Sequence, residues 1–208
     1  MSDKPKFPRA DAIKVAKELC DLLRPFCANC ISTLGHVTLS KEPLLKVCGS
    51  LRRRKQEVGD VEIVCVSSTR TREEGEPGLF ETFKKTSRVE MFPYALDEMV
   101  SHGWLSKRLN KLGRPSWGDE NRLAVHIPSG IPVDFFMTTF ENWWMTVVIR
   151  TGPKEFNLRL IEAARKNGLS LNAYGTFTGP TGDKIPLHSE QEVFLRAGVP
   201  YLEPWERA

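Results

Sequence analysis

Three carboxylates and a Gly-Ser turn carry the chemistry that the residue types of this chain allow. In Asp60-Val61-Glu62 the two acids stand two residues apart, and strand alternation would put both on one face, with Val61 and Ile63 on the other. Asp134 interrupts the otherwise apolar Pro132-Val133-Asp134-Phe135, where a buried carboxylate is costly without a cation or hydrogen bonds. Converging carboxylates repel one another, and two divalent cations roughly 4 Å apart relieve that repulsion in phosphoryl transfer. Upstream, Val47-Cys48-Gly49-Ser50 reads as a strand ending in a turn, followed by Arg52, Arg53, Arg54 and Lys55. Glycine lets the backbone approach a phosphate, and successive N–H groups, the Ser50 hydroxyl and an arginine can grip it. A triphosphate would then lie beside the metals.

The elements that must position these groups can be read from the hydrophobic periodicity. Ile13, Ala16, Leu19, Cys20 and Leu23 predict a helix from Ala10 that Pro25 ends. Leu44 to Cys48 and Val61 to Val66 read as strands, joined by a basic turn closed by Gly59. Residues 68 to 92 are polar and glycine-containing and predict a loop with irregular structure. Tyr94, Leu96, Met99, Val100, Trp104 and Leu105 predict a helix reaching the Gly103 region. Arg122 to Ile127 and Ile131 to Thr138 flank Pro128-Ser129-Gly130 and predict a hairpin. A helix from Glu141 to Ile149 ends at Thr151-Gly152-Pro153, and a second runs from Lys154 to Asn167, with Gly168 just past its end. Leu169 to Thr178 reads as a strand, and Ser189-Glu190-Gln191-Glu192 as a capping box opening a last helix. The expected fold class is α+β: a mixed sheet flanked by helices over residues 1–149, then a small α/β lobe over 150–208.

Composition limits the function classes. With 208 residues, 40% hydrophobic and 27% charged, the chain can bury one core or two small lobes. No run approaches the roughly 18 apolar residues of a membrane span, and the first ten residues lack the apolar core of a signal peptide. We therefore expect an intracellular protein with no membrane partner, and a monomer. The net charge of +4 is mild, yet Lys107, Arg108, Lys111 and Arg114 form a second basic cluster. Five cysteines without a secretory signal predict reduced thiols. The spacing of Cys27 and Cys30 admits a structural zinc, but no second C-x-x-C accompanies it and Cys20 fits an apolar helix stripe.

The stretch Val47 to Val64, VCGSLRRRKQEVGDVEIV, resembles the active-site signature of the DNA polymerase beta family, or family X, within the wider nucleotidyltransferases. Residues 150 to 173, RTGPKEFNLRLIEAARKNGLSLNA, are similar to that family's nucleotide-binding segment, and SEQEVFLRAGVPYLEPWER resembles its C-terminal end. The resemblance implies a nucleotidyltransferase palm followed by a lobe that closes over the nascent pair. It implies that Asp60 and Glu62 bind or bridge both Mg²⁺ ions, with Mn²⁺ as an alternative, and that Asp134 binds the catalytic one. Ser50, Arg53 and Gly59 match positions that hold the triphosphate, Gly152 a position near the sugar, and Asn157 one near the base. About forty residues precede the strand-GS segment, so the expected form is a minimal palm and lobe without lyase or helix-hairpin-helix modules.

The chain departs from the pattern at five places. Glu62 replaces Asp, Pro132 a basic residue, Ile149-Arg150 an aromatic pair, Lys154 an acid and Ile161 an arginine. The expected activity is addition of a nucleotide from a dNTP to a DNA 3′-OH in short-gap repair, on gapped or primer-template DNA. Lys107, Arg108, Lys111 and Arg114 would contact phosphates, giving salt-sensitive, sequence-independent affinity. The alternatives are a template-independent enzyme, transfer to RNA or a small acceptor, and a non-catalytic nucleic-acid-binding protein.

Overall fold

The computed structural model describes residues 5–33, 36–39, 42–74, 85–110, 112–172 and 176–207. A two-residue strand β1 (Phe7–Pro8) leads into helix α1 (Arg9–Leu23), which a 3-10 turn at Arg24–Phe26 ends. The buried face of α1 is Ala12, Val15, Ala16, Leu19 and Leu23, a helical i, i+3, i+4 stripe, whereas Ile13 is 43% exposed. Ala16, Leu19 and Leu23 of the expected stripe are buried, while Ala12 and Val15 join them in place of exposed Ile13 and half-buried Cys20.

Strands β2 (Cys30–Thr33) and β3 (His36–Leu39) form an antiparallel pair that the periodicity does not announce. Then come β4 (Leu45–Val47), the one-turn helix α2 (Gly49–Arg52), β5 (Glu57–Val58) paired to β1, and β6 (Val61–Cys65). The expected Gly-Ser turn is thus a helical turn. Residues 68 to 92, expected as a loop, contain an antiparallel pair, β7 (Thr69–Glu74) with β8 (Lys85–Glu90). Residues 69–72 are all exposed and none of 87–90 is buried, so the described side chains of this ribbon give no strong apolar alternation. Helix α3 (Met91–Ser101) stops short of the expected end. Gly103 at φ +75° turns the chain, and Leu105 opens β9 (Leu105–Lys107).

The expected hairpin forms as β10 (Asn121–His126) and β11 (Pro132–Met137). The main sheet has the order β4-β6-β11-β10-β9, with β6 and β11 parallel and the other neighbours antiparallel. Period-2 alternation sorts its two faces. Val61, Ile63, Val133 and Phe135 are fully buried beneath α1 and α3, where Phe92 meets Phe135 edge-on at 6.1 Å between ring centres. Each such large apolar side chain contributes about 1.5–3 kcal/mol of burial. Glu62, Val64, Asp134 and Phe136 alternate with them and belong to the opposite face.

That opposite face receives helix α4 (Trp143–Thr151), which serves two cores at once. Trp143 and Val147 pack with Cys48, Val64 and Phe136, while Met145, Val148 and Ile149 join the C-terminal core. The C-terminal core is completed by α5 (Lys154–Lys166), by β12 (Ser170–Leu171) paired with β13 (Phe177–Thr178), and by α6 (Glu190–Ala197). Phe156, Leu160 and Ala164 are buried as expected, with Ile161 half-buried beside them. The single strand expected over Leu169 to Thr178 is instead the two short strands β12 and β13, each too brief for periodicity to separate. Ser189 caps α6 by accepting a hydrogen bond from the Glu192 N–H at 3.1 Å.

Candidate functional site

Glu62 and Asp134 are Cα partners across the parallel β6–β11 pair, so both side chains rise from the same face of the sheet. Asp60 immediately precedes β6. Burial, followed by the charges of Asp60 and Asp134, pushes the Glu62 carboxyl up to about 8, while Arg150 and Arg53 pull it back. Asp60, Glu62 and Asp134 thus face the guanidinium groups of Arg53, Arg150 and Arg108. One of those cations was expected elsewhere: Arg108 sits with Nη2 2.7 Å from Asp134 Oδ1 in an ion pair. Among the described residues no three His, Cys, Asp or Glu side chains converge into a ready ligand cage. The donor set still suits divalent cations, because hard oxygen ligands with mutual repulsion are what such ions stabilise.

Gly49 sits at φ +63°, and a Cβ built there would lie 2.8 Å from the Glu62 carboxyl carbon. Glycine is required here by the carboxylate behind it as well as by the turn. The Cys48 N–H donates to the Glu62 carbonyl at 2.8 Å, locking α2 to β6 at this point. Ser50, half-buried, occupies the first turn of α2, and Gly59 stands half-buried just before Asp60, with open space where its Cβ would be.

Arg53 donates to the Thr151 carbonyl, and the position of a Gly152 Cβ would lie 3.3 Å from its Nη1. Burial lowers the Arg53 guanidinium from its ordinary value, although Glu62 and Asp60 favour its charge. This arginine thus spans the carboxylates and the end of α4. Gly152, buried at φ +58°, caps that helix by donating to the Val148 carbonyl. Asn157 donates its side-chain amide to the Ile149 carbonyl at 2.7 Å. Arg53, Gly152 and Asn157 are therefore brought together at the α4–α5 junction.

The described members of the second basic cluster differ in their surroundings. Arg108 is held at Asp134, Lys107 lies 4.9 Å from the Trp117 ring centre, and Arg114 is exposed. Lys111 lies outside the described residues, as do the side chains of Cys30 and His36 in the zinc reading. Cys27 and Cys65 are buried free thiols. Of the tryptophan pair, Trp143 is buried and Trp144 half-buried.

Two arrangements escape sequence reasoning. Arg150 stacks 3.7 Å from the Phe136 ring centre, two residues beyond Asp134, and offers counter-charge to Glu62. Arg52 donates to Thr151 Oγ1 at 2.7 Å and, through both terminal nitrogens, to Glu190, which also accepts from Arg207 at 2.9 Å. This buried clasp ties α2 to α6 and to the C-terminal segment. No spacing links positions 52, 190 and 207, although the placement of Arg150 where an aromatic is usual was a visible signal.

Comparison with known proteins gives a consistent picture. The family model for the DNA polymerase beta thumb matches residues 146–208, the segment that begins inside α4. DNA polymerase lambda of Rattus norvegicus is 27% identical over 178 residues, covering 79% of this chain and 28% of the relative. The DNA polymerase/3'-5' exonuclease PolX of Bacillus subtilis (strain 168) is 32% identical over 72 residues, covering 35% of this chain and 13% of the relative. The chain thus spans about a quarter of the first relative's length and less of the second's.

Proposed function

We propose that this chain, a family X polymerase-like protein, adds nucleotides from a dNTP to a DNA 3′-OH in short-gap repair synthesis. The observation that carries the reading is the register pairing of Glu62 with Asp134 beside Gly49, Ser50 and Arg53. Asp60 and Glu62 would hold two Mg²⁺ ions, or Mn²⁺, and Asp134 the one nearer the primer. When bound, such ions lower the pKa of the attacking hydroxyl and offset charge on the phosphates. Ser50 and the N–H groups of α2 orient the triphosphate, and Arg53 adds a cation on its flank. Gly59 leaves the backbone open before Asp60. Gly152 and Asn157 offer the sugar and base a close backbone approach and an amide. Lys107, Arg108, Lys111 and Arg114 form the proposed phosphate-contacting edge for DNA, and residues 150–208 the lobe that closes.

Primer extension on gapped DNA with Mg²⁺ or Mn²⁺ tests this. Extension by the wild type should be abolished in Asp134→Ala, with DNA affinity kept within about twofold, since Asp134 makes no phosphate contact in this reading. Extension that survives the substitution overturns it.

A second reading, template-independent addition or transfer to RNA or a small acceptor, draws on Ile161. This residue packs against the C-terminal core and offers no cation to a template strand. Equal extension of gapped, blunt and single-stranded primers would favour it. No helix among the described residues is long and apolar enough to cross a membrane.

A further inference from the structure

At the free edge of β4 a cleft of about 630 Å³ opens between α1, the end of α2 and the C-terminal 3-10 turn Pro204–Glu206. None of Asp60, Glu62, Asp134, Ser50 or Arg53 lines it, so it is separate from the site described above. Its walls carry six cations against only two acids, Asp21 and Glu203. Two of the six have structural duties, since Arg9 donates to the Leu51 carbonyl and Arg52 belongs to the Glu190 clasp. Glu203 is likewise occupied, capping the 3-10 turn through its side chain. Lys17 on α1 and Arg24 just past its end are exposed, Lys46 reaches within 4.0 Å of Glu190, and Arg54 follows α2. The uncommitted charge of the cleft is positive.

Arg54 and Trp205 add a second feature. Arg54 is the only non-glycine among the described residues with a positive φ, at 61°, a conformation that is strained for a branched backbone unit with a Cβ. It is held there with its guanidinium 3.6 Å from the Trp205 ring centre, and Trp205 nonetheless remains 47% exposed. A planar cation laid on a half-exposed indole, facing a positively charged cleft, is a stacking platform beside an electrostatic groove.

We propose that this cleft binds single-stranded nucleic acid, with a base stacked at the Arg54–Trp205 pair and the backbone phosphates on Lys17, Arg24 and Lys46. Only an unpaired base exposes the face such a platform uses, and the cleft has room for a few nucleotides but not for the width of a duplex. The contacts proposed are to phosphates and ring faces, so recognition is sequence-tolerant and salt-dependent. The role rests on the proposed extension reaction, in which a gap or primer end adjoins unpaired template, and places that strand in a cleft apart from the catalytic carboxylates.

The test is fluorescence anisotropy of a labelled oligothymidylate and of a labelled blunt hairpin duplex across a salt series, with the full chain. The double variant Lys17→Glu/Arg24→Glu should weaken oligothymidylate binding about tenfold or more and flatten the slope of log affinity against log salt by about 1 to 2. Trp205→Ala should weaken it about tenfold with the slope unchanged, and Trp205→Phe should restore most of it. Duplex affinity should stay within about twofold in all three. Lys17 and Arg24 are exposed, so the double variant keeps its fold, which circular dichroism verifies. Unchanged oligothymidylate affinity in the double variant, or an equal loss for the duplex, overturns the proposal. Primer extension on gapped DNA, measured alongside, reports separately on the catalytic reading.

Discussion

Arg108, just past β9, is clamped to Asp134 on β11, Nη2 to Oδ1 at 2.7 Å, although the two residues were expected to serve different partners. The geometry follows from the register. Lys107 pairs with Ala124 on β10, and Leu123 beside it pairs with Asp134 on β11, so the residue after β9 arrives at the carboxylate. In the proposed function, Arg108 competes with a metal ion for Asp134. We expect Arg108→Ala to lower the Mg²⁺ or Mn²⁺ concentration for half-maximal thermal stabilisation by about two- to fivefold. That range corresponds to roughly 0.4–1 kcal/mol, the upper part of what a partly exposed ion pair contributes. Metal titration by differential scanning fluorimetry checks it, and weaker metal binding in the variant would count against competition.

A methyl group at position 49 should separate catalysis from stability. Gly49→Ala would strain a φ of +63° and set a Cβ 2.8 Å from the Glu62 carboxyl carbon, forcing that side chain to move. Gly130→Ala strains a similar φ of +70° but meets nothing within 4 Å. Both should lose about 1–2 kcal/mol of stability from the backbone alone. Only Gly49→Ala should in addition lose about tenfold or more in primer extension, a displacement effect at the carboxylates. Urea melts and extension assays on the pair decide, and equal extension by the two would mean that the position of Glu62 is immaterial.

The clasp at Glu190 predicts a pH dependence. Burial alone would raise its carboxyl, but hydrogen bonds and charge from Arg52 and Arg207 outweigh burial and hold it below the ordinary carboxylate range. A depressed folded value means that the stabilisation is fully present above the unfolded pKa of about 4.3 and is lost as pH falls through the folded one. Glu190→Gln would leave the guanidinium of Arg207, fully buried, without its anion. We expect a loss of about 3 kcal/mol at pH 7. The gap between wild type and variant in urea unfolding should narrow steadily below about pH 4. A gap independent of pH would show that the charge on Glu190 contributes nothing.

How far the molecule is legible in its sequence depends on the range of the interaction. Strand alternation suffices to set Glu62 and Asp134 against the apolar Val61, Ile63, Val133 and Phe135, because each pattern is complete within five or six residues. The amphipathic α5 and the Ser189 cap are local in the same sense. The β7–β8 ribbon is invisible because its described side chains give no strong apolar alternation. The Arg108–Asp134 pair and the Arg52–Glu190–Arg207 clasp depend on which elements become neighbours, and residues up to 138 positions apart carry no mutual mark. On α1 the helical spacing finds Ala16, Leu19 and Leu23, whereas Ile13, though apolar, is exposed and Ala12 and Val15 are buried.

The parallel pairing of β6 with β11 also sets rules for how such a chain can vary. Parallel neighbours are joined by a crossover rather than a tight hairpin, so the length of residues 66–131 does not dictate their alignment. Exposed connections inside that excursion can be lengthened or shortened while the two acids stay side by side, whereas α3, β9 and β10 supply core residues and must be kept. Within β6 or β11 the tolerance vanishes: deleting one residue ahead of Asp134 would turn the carboxylate into the apolar interior and present Phe135 to the substrate. Grafting experiments on this scaffold therefore have a field in the exposed connections between the two strands and none within them.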